Sequence, residues 1–211
     1  MALGLSPPTH IVEDEKFTSE NKERTYVALI KEPSTELLWW SDYLTSTDEE
    51  SMTKSFQRFR RVLGHALKGA TTDGYKATQN GLKKVFPKIK LQQCALHPLL
   101  RLNEALKRYR NSKNKPVSDK EISKLKKAYF KVLQAKSRKE FRERLKQLPD
   151  VFKTDYFLRP RYEALKRKAK LLTTHCRDPK LAVMTTSLDQ TIKLLDKKLK
   201  MMGTFRDKVS A

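Results

Sequence analysis

Across residues 11–109 the hydrophobic pattern switches repeatedly between a period of two and a period near 3.6, and few folds accept that order of switches. Three runs read as strands. They are Ile11–Thr18, then Thr25–Ile30, closed by Pro33 and Ser34, then Leu37–Leu44 with Trp39, Trp40 and Tyr43. Their short connections suit an antiparallel meander. Thr47-x-x-Glu50 is a capping box opening a helix to about Leu67, with Met52, Phe56, Phe59, Leu63 and Ala66 on one stripe. Gly69-Ala70-Thr71-Thr72-Asp73-Gly74 reads as a short buried strand ending in a turn. Helix Tyr75–Phe86, stopped by Pro87, strand Ile89–Ala95 and helix His97–Tyr109 follow. The order βββαβαβα predicts a mixed α/β layer. Its last two strands are reached through crossover helices and so run parallel to their neighbours.

Residues 110–174 contain no convincing strand. Ser118-x-x-Glu121 and Ser137-x-x-Glu140 cap two helices, and Pro160 suits the first turn of a third reaching Leu172. Ser187 is an expected N-cap for a helix over 188–202 striped by Leu188, Ile192, Leu195, Leu199 and Met202. The organisation expected is a tail or linker over 1–10, an α/β core over 11–109 and 175–211, and a helical insertion over 110–174. There is no internal repeat.

Charge separates these parts. The whole chain of 211 residues carries 46 Lys and Arg against 24 Asp and Glu, a net +22. Such self-repulsion points to a polyanionic partner, nucleic acid before membrane. Residues 1–50 nevertheless hold eleven acids against four bases, whereas residues 105–170 hold 23 bases against seven acids. Carboxylates that gather divalent cations beside a basic surface for a polyanion would look like this; two solvated faces of opposite charge are the plainer reading. The two cysteines, Cys94 and Cys176, lie far apart and fit a reducing compartment. No apolar run approaches the roughly 18 residues of a membrane helix, and no signal-peptide core stands at the N-terminus. The expected location is cytoplasmic or nucleoid.

Two acids sit where metal-assisted phosphoryl transfer needs them. Asp14 lies inside the first strand, amid Ile11-Val12-Glu13-Asp14-Glu15; Asp73 ends the short apolar strand ahead of Gly74, which allows close approach of a backbone or phosphate. In the inferred sheet both can converge at adjacent strand tips. An acid before glycine is, by itself, most often a turn residue.

Thr71-Thr72-Asp73-Gly74, a helix, Val85-Phe86-Pro87 and then Gln92-Gln93-Cys94-Ala95-Leu96-His97 together resemble the second-aspartate region of DDE transposases of the insertion-sequence and mutator-like kind. Val12-Glu13-Asp14-Glu15 and its meander are similar to the first-aspartate strand of the same ribonuclease H-like superfamily, 59 residues before Asp73. Thr185-Thr186-Ser187-Leu188-Asp189-Gln190, followed by Lys197–Phe205, resembles the third-acid helix, 116 residues after Asp73. The resemblance implies a ribonuclease H-like mixed sheet flanked by helices, with an all-α insertion before the last catalytic helix. It also implies that Asp14, Asp73 and Asp189 hold two Mg²⁺ or Mn²⁺ ions. One would activate water to cut a transposon end, and the freed 3′-hydroxyl would then attack target DNA, a scheme that requires at least a dimer on DNA.

The third position departs from the family, which usually places Glu after a Thr-Thr-Asn-like cap. Here Ser187 replaces Asn, Asp189 is the nearest acid, and Gln190 occupies the register some branches give to Glu. If Gln190 is the equivalent, the third ligand is lost and the chain is a truncated or domesticated remnant that binds DNA without cutting it. Asp196 is a poorer candidate, and Asp189 could simply pair with Lys193 one turn on. Cys94-x-x-His97 supports the site as a buried thiol and a helix-start imidazole; with His175-Cys176 it also raises a zinc reading, at an unusual spacing. The candidate phosphate contacts are Arg101, Lys107, Arg108, Lys126, Lys127, Lys166, Arg167 and Lys168. Aromatic residues among them could stack on splayed bases, although most fall on core stripes. An RNA-associated structural protein is a third reading; it leaves the block from Asp73 to His97 unexplained.

Overall fold

The computed structural model describes residues 6–20, 23–112 and 117–201. The chain begins with the meander β1 (His10–Glu20), β2 (Glu23–Lys31) and β3 (Leu38–Leu44). Helix α1 (Glu49–Leu63), β4 (Gly69–Thr72), α2 (Lys76–Val85) and β5 (Lys90–Gln93) follow. The five strands form one sheet in the order β3-β2-β1-β4-β5. The pairs β1–β2 and β2–β3 are antiparallel, while β1–β4 and β4–β5 are parallel. This is the mixed sheet expected from the order of elements, an antiparallel meander followed by two parallel strands. A hairpin connection can return only an antiparallel strand, so α1 and α2 must carry the chain back along the sheet before β4 and β5 can form.

Position at the centre explains the composition of β1. Ile11, with Ala28, Ile30, Ala70 and Leu91, packs beneath Phe56 and Phe59 of α1 and Leu82 of α2. Val12 and Leu29 cover the opposite face with Leu188 and Ile192 of the final helix, numbered below. Both faces of the sheet are therefore apolar over the first residues of β1, and only beyond Val12 does the strand turn acidic.

The basic region is helical, as its periodicity predicts. Ahead of it α3 (Leu96–Asn111), assigned by sequence to the α/β core over 11–109, packs with its helices α4 (Asp119–Leu133), α5 (Arg138–Lys146), a single turn α6 (Val151–Thr154) and α7 (Arg159–Leu172). These share a core in which Leu102, Tyr129, Val132, Phe141, Phe152 and Leu165 are fully enclosed. Ser118 and Ser137 accept from the backbone N–H groups of Glu121 and Glu140 at 3.2 and 3.0 Å, and Pro160 stands in the first turn of α7. After a 3-10 turn (Thr174–Cys176), α8 (Thr186–Met201) closes the described chain. No helix among the described residues is long and apolar enough to cross a membrane.

Several boundaries move. The cap of α1 is Asp48, not Thr47: its carboxylate accepts from Ser51 N–H at 2.8 Å, and an anion at that end also complements the helix dipole. The same helix stops at Leu63, because Gly64 takes the left-handed conformation (φ 75°). Ser187 lies inside α8, which starts at Thr186; Leu188 N–H is bonded to the carbonyl of Thr185, whose hydroxyl meets Cys94 Sγ at 3.3 Å. The side chains of Leu195 and Leu199, and all of Met202, lie outside the described residues. His10, assigned to a tail by sequence, opens β1 and bonds Asp178 across 3.4 Å. The single turn α6 is too short to leave a periodic signal.

Phe56 has no solvent exposure and sits between the sheet and α2. Phe56→Ala is expected to lower the unfolding free energy by about 3–5 kcal/mol, read from urea midpoints. A change below about 1 kcal/mol would mean that this face is not the packed core.

Candidate active site

The register of β1 against β4 builds the site. The ladder pairs Ile11 with Ala70 and Val12 with Thr71. Carried two residues further, the same register sets Asp14, still within β1 and paired with Leu29 of β2, level with Asp73, which follows the last residue of β4. Asp14 is therefore not at the strand tip that the sequence suggests. Side chains alternate along a strand, so Asp14 shares the face of Val12, the one covered by α8. Thr71 faces the same way, donating to the carbonyl of Ala182 at 2.7 Å. Asp14 is 7% exposed and accepts from Glu15 N–H at 3.0 Å. Asp73 accepts from Tyr75 N–H at 2.6 Å, a local turn that fixes the carboxylate as the chain enters α2. That turn needs Gly74, whose φ is +94° and where an added Cβ would come within 2.5 Å of the Gln93 side chain.

Two further acids, counted by sequence only as part of an acidic third, complete the pocket. Glu13 and Glu15 project from the other face of β1. Glu13 is fully buried; the carboxyl of Glu15 is its hydrogen-bonding neighbour, and its neighbours in charge are Glu15, Asp14 and Asp73. Burial first, then those three carboxylates, push its pKa well above the usual range. Glu15 is raised to about 7, chiefly by burial; the hydroxyl of Thr78, which donates to it, opposes the rise, and Asp73 and Asp14 add to it. The signal available in the sequence was three consecutive acids inside a strand that otherwise reads as buried.

Cys94 and His97 lie beside these acids. Cys94 Sγ accepts from the N–H groups of Thr185 and Leu96 at 3.3 and 3.4 Å. Burial alone would raise this thiol, but hydrogen bonds from His97 and Thr185 bring it below its ordinary value. The bond to Cys94 raises the pKa of His97, burial opposes, and Asp14 and Asp73 contribute further. His175 and Cys176 are elsewhere: His175 N–H donates to Gln92 Oε1 at 2.9 Å, and Cys176 Sγ meets the Ala135 carbonyl at 3.5 Å.

Among the described residues, no three His, Cys, Asp or Glu side chains stand where they could share one metal ion. The zinc grouping of Cys94, His97, His175 and Cys176 is therefore not formed. Asp14 and Asp73 nonetheless have the right chemistry for a hard cation. Mg²⁺ retains water and is bound through one or two carboxylates together with substrate phosphates. The side chain of Asp189 lies outside the described residues; its backbone follows Leu188, which packs on Val12 two positions before Asp14. Gln190 is exposed.

Three of the candidate cations gather at this end of the sheet. Arg101 of α3 and Arg167 and Lys168 of α7 line one hollow with Gln93. Lys168 Nζ donates to the carbonyl of Gly74 at 3.5 Å. Burial and then the charge of Arg101 depress its pKa, while Asp73 supports the charged form. Arg108 lines an adjoining hollow with Arg101. Lys107, Lys126, Lys127 and Lys166 are exposed and line neither. Arg161, not singled out by sequence, lines both; nothing distinguished it there among the other cations.

No protein-family model and no curated protein matches the chain. Among solved structures, a chain of the simian T-cell lymphotropic virus intasome, in complex with PP2A regulatory subunit B56 gamma, aligns with 12% identity and a TM-score of 0.36. That alignment covers 57% of this chain and 47% of the other, so this chain spans about half the length of its match. The HTLV-2 integrase catalytic core domain, in complex with magnesium and in a trimeric form, aligns with 18% identity and a TM-score of 0.35, covering 57% of this chain and 84% of that one.

The displaced carboxyl of Glu15 gives a pH dependence of definite sign. Between about 4.5 and about 7 the unfolded chain releases this proton while the folded chain keeps it, so stability falls as pH rises through that window. In chelator, Glu15→Gln should remove up to about 3 kcal/mol of that fall, measured by urea unfolding from pH 4.5 to 8. Parallel curves for the two proteins would show that Glu15 titrates as an ordinary carboxyl.

Proposed function

We propose that the chain is the catalytic core of a DNA transposase, cutting phosphodiester bonds at transposon ends and joining the freed ends to target DNA. The observation that carries this reading is the parallel register of β1 with β4, which, continued past Val12 and Thr71, brings Asp14 within β1 level with Asp73 just beyond the end of β4. Asp14 and Asp73 would hold the cations against the scissile phosphate, and Asp189 on α8 is the residue proposed to complete the set. A pair of divalent ions, when bound, supplies an activated attacking oxygen and charge compensation at the leaving oxygen of an in-line displacement. Glu13 and Glu15 stand behind β1, within electrostatic reach of Asp14 and Asp73. Arg101, Arg167 and Lys168 would grip the backbone next to the cut; Lys107, Arg108, Lys126, Lys127 and Lys166 would add sequence-independent affinity along it. Cys94, bonded to Thr185 and to Leu96 N–H, fastens the start of α3 to the irregular segment that leads into α8, and with His97 would act as a positioning residue. Synapsis of two ends would require at least two copies of the chain, working in an intracellular compartment that holds DNA.

Asp73→Asn is expected to keep the unfolding midpoint and DNA affinity and to abolish Mg²⁺-dependent strand cleavage. Cleavage at the wild-type rate would remove Asp73 from the mechanism.

The second reading is an inactive DNA-binding remnant. It is favoured by the exposed Gln190 in the third-acid register. A titration followed by Mn²⁺ electron paramagnetic resonance separates the two. An intact site takes up Mn²⁺ and loses it in Asp14→Asn, whereas a remnant leaves all the ion free.

A further inference from the structure

A cavity of about 220 Å³ lies between the start of α3 and the body of α7, directly behind the turn that carries Asp73. Drug-sized ligand pockets occupy about 300–1,000 Å³, so this one suits a single small ring system. Part of its lining is apolar: Pro98, Pro160, Ala164, Leu165 and the ring of Tyr129, which stacks on Phe152 with centroids 5.8 Å apart. Two polar groups in that lining lack partners. Gln93, 1% exposed, has a buried Oε1 that accepts no hydrogen bond, and Arg161 has a buried Nε that donates none. Buried polar atoms are almost always satisfied, so an unpaired acceptor and an unpaired donor on one small cavity point to a ligand that supplies the complementary pair. Arg101, Arg167 and Lys168 add positive charge to the lining, so that ligand is attached to an anion.

The cavity also touches the acid pair. Gln93 packs so closely on Gly74 that a Cβ there would come within 2.5 Å of it, and Lys168 bonds the Gly74 carbonyl. We propose that this cavity is a subsite for one unpaired nucleobase, taken out of its stack while its own phosphate is held by the cations of the lining next to Asp73. The assignment rests on the reading that the chain acts on nucleic acid. It names the part of the substrate the site recognises: the hydrogen-bonding edge of a single base, which presents donor and acceptor side by side, between apolar faces. Gln93 Oε1 would accept from a ring or exocyclic N–H, and Arg161 Nε would donate to a ring nitrogen or carbonyl.

The test compares two fluorescein-labelled single-stranded DNA oligonucleotides of equal length, one with all its bases and one carrying stable abasic residues. Binding to the full chain is followed by anisotropy in chelator at fixed salt. The wild type should bind the base-bearing strand about tenfold more tightly. Ala164→Phe, which fills the cavity, should bring the ratio close to one while leaving abasic binding unchanged. Gln93→Leu, close in size, should lower the ratio without changing abasic binding, and it decides the matter if the unfolding midpoint shows that Ala164→Phe is not folded. A ratio of one in the wild type, or a tenfold ratio that survives in the folded variants, overturns the base subsite. Failure of both strands to bind overturns the nucleic-acid reading itself.

Discussion

The parallel pairing of β1 with β4 is the interaction on which the site depends. Parallel neighbours cannot be joined by a tight turn, so the pairing exists only because α1 carries the chain back and buries Phe56 and Phe59 on the sheet as it does so. Once formed, the pairing leaves little freedom. A slip of one residue would put Val12 on the face occupied by Phe56 and would expose Ile11 to α8. The hydrophobic register that satisfies both faces is the one that brings Asp14 level with Asp73. The acid pocket is thus a by-product of core packing at the centre of the sheet, and it sits where the strand has ceased to be apolar on either face. Glu13 shows the cost of that arrangement: a carboxyl with no exposure, beside Glu15 and near Asp14 and Asp73, is held well above the usual carboxylate range, first by burial and then by those charges.

The positive charge is brought to this pocket by a second set of bonds. Gln92, fully buried on β5, donates from its amide to the carbonyls of Gln93 and Leu172 at 2.8 and 3.2 Å and accepts from His175 N–H. Thr174 donates to the carbonyl of Leu91 at 2.8 Å. Together these pin the C-terminal end of α7 onto β5 and so fix Arg167 and Lys168 beside Gly74. Lys168 gives up part of its hydration there, and Asp73 is the charge that favours its staying protonated. An acidic pocket edged by oriented cations suits a substrate that is itself an anion and is processed with cations.

Much of this was legible from pattern. The order of elements followed from where the hydrophobic period changed. The caps at Ser118 and Ser137 followed from serine three residues before glutamate, because that contact is made within one turn. Local information failed where a distant group decided the outcome. Ser187 has a good N-cap side chain, yet α8 begins earlier, after Thr185 is held by a thiol 91 residues away. Thr47 yields to Asp48, one residue on, whose carboxylate accepts from Ser51 N–H and complements the helix dipole. Arg161 was invisible among the other cations, since only folding gives one of them a buried nitrogen beside Tyr129.

By itself the sequence determined which segments become strands and helices, the segregation of acidic and basic parts, and the candidacy of Asp14 and Asp73, because these are set by period, turn chemistry and residue type over a few positions. Tertiary structure alone decided that Glu13 and Glu15 join the same electrostatic pocket, that Arg101, Arg167 and Lys168 rather than the other lysines stand beside it, and that His175 and Cys176 do not meet Cys94 and His97. The physical reason is that charge and hydrogen bonding act over a few ångströms in space. Which groups come within that range is fixed by how layers pack, and separation along the chain does not reveal it.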